Sequence, residues 1–304
     1  MVPQPPGRET EDQFDAAVTP FRVALLDLVA QTRQLRSEVG YLPAADSRAM
    51  EEKTQESRFA GGWGVEPVTA AHSGGWLITG AAEDLIGSFC SLFQSGPTPV
   101  FGHTVLLRAA IESCARAAWL ADPNIGVKLR VARWMSERLY SAREADQLPG
   151  ARLQSRPRQV ILEEARRQRF EKISDKRQAA VSLEERRKGN MAIVKWLFEQ
   201  PSAGGDRELG EIVYRVSSAV AHSTLYGIFL QLEADASEPT RLLNSLTRYG
   251  YFTKSDQVTA AFRAVGIAYI QVGAFHRGLF GWRSDSWERT VLNFPRLSRA
   301  LRGG

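Results

Sequence analysis

"HTVLLRAAIESCARAAWLADP", residues 103–123, is the stretch on which the fold turns. At 3.6 residues per turn it is apolar on every side except an arc of roughly 80° carrying Arg108, Glu112 and Arg116. A helix this apolar belongs at the centre of a bundle, and charges placed there need partners. Glu112 stands four residues before Arg116, the favourable order for an intrahelical pair. Two readings of the stripe stay open. It is a buried ion-pair ladder that fixes helix register, or one wall of a polar pocket between packed helices.

The same periodicity recurs on both sides. Phe14, Val18, Phe21, Leu25, Leu28, Val29 and Leu35 predict a helix over 11–39, which Pro20 either starts or kinks. Residues 40–66 lack a period and read as a long irregular connection after the first helix. Helices are expected over 68–94, 100–121 and 125–145, separated by "SGPTP" (95–99) and followed by "LPG" (148–150). Further helices are expected over 183–199, 207–233 and 257–279, with irregular segments at 201–206 and 236–256. No alternating run is long enough to establish a strand, and "RYGYFT" (248–253) is the best, though short, candidate. The expected architecture is an all-α helical bundle of six to nine helices. An N-terminal part covers 1–66, the main bundle 67–280, and a tail 281–304.

Residues 151–190 differ in composition, with twelve Lys/Arg against six Asp/Glu. They predict a basic helical insertion projecting from the bundle, with a break near Ser174. Arg166, Arg167, Arg169, Lys172, Arg186, Arg187 and Lys188 are its candidate nucleic-acid contacts, since clustered cations give salt-sensitive phosphate affinity. Interleaved acids also allow a solvated helix with internal pairs.

Composition narrows the function classes. The net charge of +5 permits an anionic partner without requiring one. Cys90 and Cys114 fall in apolar helical patterns and read as buried thiols of a reducing compartment. The N-terminus lacks a basic start followed by an apolar run, and no apolar stretch reads as a membrane span, so a cytoplasmic location is expected. His72, His103 and His276 share no metal-ligand spacing. Neither glycine-rich phosphate loop nor GxSxG is present, so no metal or cofactor is expected.

"YRVSSAVAHST" (214–224) is the second decisive stretch. On one helix Arg215 and His222 lie about 20° apart in azimuth and about 10.5 Å apart along the axis, with Ser218 between them. A guanidinium clamps phosphate through paired hydrogen bonds, and an imidazole moves protons near neutral pH. Arginine, four to six residues, then histidine near the end of a helical bundle resembles the signature of the HEPN superfamily. The "LLR–AAIE–CARAAWLADP" pattern is similar to a segment of uncharacterised bacterial helical proteins carrying the same kind of Tyr-Ser-His stretch. The resemblance implies a HEPN-like bundle and a homodimeric, metal-independent endoribonuclease of the toxin–antitoxin or phage-defence type. Arg215 and His222 would then be catalytic, supported by Tyr214, Ser218, Arg108, Glu112 and Arg116, with RNA as substrate and an antitoxin or another protein as partner. The alternative is a non-catalytic all-α adaptor that binds a nucleotide or a protein through the same pocket.

Overall fold

The computed structural model describes residues 10–94, 101–147, 155–175, 180–201, 207–224, 227 and 254–300. The long helices follow the apolar periods closely. They are α1 (Glu11–Glu38), α4 (Pro67–Ser91), α5 (Gly102–Ala121), α6 (Val127–Asp146) and α10 (Ser255–Phe280). Thr10 and Gln13 close a capping box at the start of α1, and Pro20 lies inside that helix without ending it. The shorter helices are α2 (Arg48–Lys53), α3 (Glu56–Phe59), α7 (Ser155–Arg167), α8 (Asn190–Glu199), α9 (Arg207–Ala221) and α11 (Asp285–Ala300).

The protein is all-α in its bundle, with α5 at the centre. It packs against α4, α6, α8, α9 and α10, while α1 lies across α10 and α11. Cys114, Trp119, Phe262, Val265 and Ile86 are fully buried in this core. Each large apolar side chain there stabilises by roughly 1.5–3 kcal/mol. Trp119 is fully buried in this core, while Trp76, Trp134 and Trp196 pack partly buried against it. Burial pushes the Cys90 thiol up to about 12, so it is an inert packing group. The α10 helix is long and apolar enough to cross a membrane, but most of it is buried in the bundle.

Three expectations need correction. Residues 40–66 are structured: they hold α2 and α3, and bury Ala49, Glu52, Phe59 and Trp63. Glu56 accepts hydrogen bonds from the Val68 and Thr69 amides and so caps α4 from outside. Second, the basic segment 151–190 is no projecting helix. Its described residues form α7, then two antiparallel strands, β1 (Lys172–Asp175) and β2 (Ala180–Leu183), then an irregular run into α8. The hairpin seats against α6, and Ile161, Ala165, Phe170 and Leu183 join Trp63, Val131 and Met135 in a second core cluster. The chain turns because Arg169 adopts a left-handed conformation (φ 58°) and sends Phe170 inward, where its amide reaches Ala165 O. Third, the tail contains helix α11, whose Trp287 and Phe294 are buried. The strand candidate at 248–253 and the expected end of the 207–233 helix lie outside the described residues.

Two buried charge clusters hold the helices in register. Glu52 accepts from Arg130 at 2.7 and 3.1 Å and from His72 at 2.9 Å. Burial alone would raise its pKa, but these hydrogen bonds overcome it and hold the carboxyl at about 2. Glu83 lies between Arg33, Arg36 and the Tyr269 hydroxyl. Glu52→Ala leaves the fully buried Arg130 without its counter-charge, and urea unfolding is expected to show a loss of about 3–5 kcal/mol.

Burial is the largest influence on both His72 and His276, and lowers each pKa below its ordinary 6.5. The folded protein therefore refuses protons that the unfolded chain accepts, so stability is full above about pH 6.5 and falls below it. A second fall is expected below about pH 4.5, where Glu52 is protonated in the unfolded chain first. Melting temperatures measured from pH 8 to 3 check this. A flat profile between 7 and 5.5 contradicts the histidine contribution.

Candidate functional site

The site is built where α9 ends over α5. Helix α9 closes with Ser223 in the left-handed region (φ 50°), Ser223 N donating to Val220 O and Thr224 N to Ala219 O. His222 is thus the last residue before the turn, its amide held by Ser218 O at 3.0 Å and its side chain exposed. Arg108 on α5 reaches it, with Nη1 3.2 Å from His222 Nε2. Because a guanidinium only donates, this contact makes Nε2 the acceptor and places the imidazole proton on Nδ1.

Arg108 is held from three sides. Nε donates to Glu112 Oε1 at 2.7 Å, and Nη2 to the Tyr214 hydroxyl at 3.3 Å. Its guanidinium carbon also lies 5.2 Å from the Tyr214 ring centroid. Burial works against the Arg108 charge, but the Glu112 hydrogen bond and charge outweigh it, so its pKa is raised. The network continues inward. Glu112 Oε2 accepts from Asn190 Nδ2 at 2.7 Å, and Asn190 Oδ1 accepts from Arg116 Nη2 at 2.8 Å. Arg116 Nη1 donates to Glu137 and to Lys188 O, both at 3.0 Å. Burial lowers the Arg116 pKa.

The structure therefore joins His222, Tyr214, Arg108, Glu112 and Arg116, and it separates Arg215 from them. Arg215 is 64% exposed in its side chain and pairs with Glu211, which also holds Lys195. Ser218 is half-buried and contributes its carbonyl. Glu112 pairs with Arg108 in place of Arg116. Asn190 was missed by the sequence reading, since an asparagine opening a short helix carries no distinctive signal.

The seven basic candidates divide. Arg166, Arg169 and Lys172 are exposed, at α7 and the hairpin on the α3–α6 side of the molecule. Arg167 pairs with Glu164. Arg186 is exposed, while Arg187 is tied to Glu137 at 2.9 Å and stacks over Tyr140. Lys188 is half-buried, and its carbonyl meets Arg116. The C-terminal end of the segment thus adjoins the His222 network, and the N-terminal end does not. Comparison with family models, curated proteins and solved structures found no match.

The two arginines should separate in unfolding experiments. Arg215→Ala removes an exposed pair and is expected to cost less than about 1 kcal/mol. Arg116→Ala strips partners from Asn190, Glu137 and Lys188 O and is expected to cost about 3 kcal/mol.

Proposed function

We propose that the chain is a metal-independent endoribonuclease of the HEPN-like type, acting as a cytoplasmic homodimer on RNA. The observation that carries this reading is that one guanidinium, Arg108, reaches both His222 Nε2 at 3.2 Å and the Tyr214 hydroxyl at 3.3 Å, with His222 exposed. The phosphate-binding role passes from Arg215 to Arg108. Of the five N–H groups of Arg108, three are committed to Glu112, His222 and Tyr214, leaving one on each Nη for a phosphodiester.

When the phosphodiester binds, its oxygen takes over the Arg108 Nη1–H from His222, and the freed lone pair of His222 Nε2 accepts the 2′-hydroxyl proton. The O2′–P bond forms, the P–O5′ bond breaks, and the imidazolium returns its proton to the departing 5′ oxygen. The products are a 2′,3′-cyclic phosphate and a 5′-hydroxyl. Arg108 stabilises the charge gathering on the phosphoryl oxygens. Such cleavage suits a toxin or phage-defence nuclease restrained by an antitoxin or another protein partner.

A second reading is favoured by one feature: every nitrogen of Arg108 already has a partner within the chain. That suits a non-catalytic adaptor binding a nucleotide or a protein at this edge. Purified wild type, His222→Ala, Arg108→Ala and Arg215→Ala incubated with total RNA in EDTA separate the two. The nuclease reading expects wild-type cleavage with cyclic phosphate ends. His222→Ala should lose about 10²–10⁴-fold in rate, Arg108→Ala should be impaired, and Arg215→Ala should be nearly unaffected. Folded wild type that leaves RNA intact supports the adaptor.

A further inference from the structure

We infer that Asn190 is the positioning residue that sets the orientation of Arg108 against His222. Its catalytic consequence rests on the nuclease reading above, and its structural consequence on geometry alone. Glu112 has two carboxylate oxygens with separate duties. Oε1 receives Arg108 Nε, and Oε2 receives Asn190 Nδ2. The carboxylate plane, and with it the direction of the Arg108 fork, is fixed only while both are engaged. Asn190 is itself fixed, since its oxygen accepts from Arg116, which burial and Glu137 hold in place. The amide is the one side chain of this size that satisfies both neighbours at once, donating to a carboxylate and accepting from a guanidinium. It also stands at the first position of α8, so the run leading out of the basic hairpin ends at the residue that orders the site.

Asn190→Asp tests this with almost no change in shape. The Arg116 contact survives, and a carboxylate at a helix N-terminus suits the helix dipole. The Glu112 contact does not survive, because a donor becomes a second acceptor facing a carboxylate. The Arg108 Nε–H resonance is expected to exchange slowly in wild type and fast in Asn190→Asp, and cleavage to fall about 10²-fold, mostly in kcat. Adding Glu112→Gln to Asn190→Asp exchanges donor and acceptor across the same contact. The introduced amide donates to the introduced carboxylate while its oxygen still accepts from Arg108. The double variant is expected to recover Arg108 Nε–H protection and most of the activity, which a general loss of stability would not permit.

Unchanged Arg108 protection in folded Asn190→Asp overturns the inference, whether or not RNA is cleaved. If Asn190→Asp does not fold, the double variant decides, and its failure to restore protection is also fatal. Wild type that cleaves nothing, but whose Arg108 signal responds as described, defeats the nuclease reading and leaves the positioning role intact.

Discussion

Helix α5 ends inside the protein, and the constraint this creates organises much of the rest. The last carbonyls of a helix have no intrahelical donor, and leaving them buried and unpaired is costly. Arg133 Nη1 donates to Trp119 O at 2.5 Å, while Arg130 donates to Leu120 O at 2.6 Å and Asp122 O at 2.9 Å. Both arginines come from the start of α6, so the turn after α5 folds back to cap the helix it leaves. Cations at a helix C-terminus are favourable by charge as well. The cost is two guanidinium groups away from water, and each needs an anion. Glu52 supplies one from α2, and Asp122 with Glu185 supplies the other.

That requirement explains why two segments with little hydrophobic period are ordered. Residues 40–66 must deliver Glu52 to Arg130, and His72 on α4 closes the same carboxylate. The run after the hairpin must deliver Glu185 to Arg133 and Arg187 to Glu137. Ordering such a segment costs conformational entropy. Buried charge-assisted hydrogen bonds, with apolar anchors such as Phe170 and Leu183, offset that cost. Chain that looks like linker is recruited by charges displayed on neighbouring helices.

This also marks where the sequence was legible. The helices of 67–146 and 255–280 could be placed because their apolar residues repeat at a helical period and Gly or Pro stretches separate most of them. The end of α7 could not, because it turns at Arg169, a residue type that gives no warning of a left-handed conformation. The hairpin strands have only four residues each, too few for alternation to register. Glu52 could not be recognised, since its partner Arg130 is distant in sequence and a lone glutamate in a charged stretch resembles any surface acid. In the site, helical spacing singled out His222, Arg108 and Glu112, and the family resemblance added Tyr214. Where the Arg215 fork would go was open to a simpler rule. Glu211 precedes it by four residues, the favourable order for an intrahelical pair, and that local partner wins.

The choice between Arg108 and Arg215 bears on what the site can do. An arginine on an exposed helix face samples many rotamers, and fixing it on a ligand forfeits that freedom. Arg215, with most of its side chain in water, is of that kind. Arg108 is 17% exposed in its side chain, lies against the Tyr214 ring, and is fixed through Glu112 to a chain of buried polar groups. Its orientation is set by the chain itself, the condition under which a cation stabilises developing charge most effectively. The polar stripe on α5 has two ends with different surroundings. Through Arg116 it is a buried ladder that ties α5 to α6 and α8. Through Arg108 it reaches His222 at the end of α9, and the ladder gives that contact its rigidity.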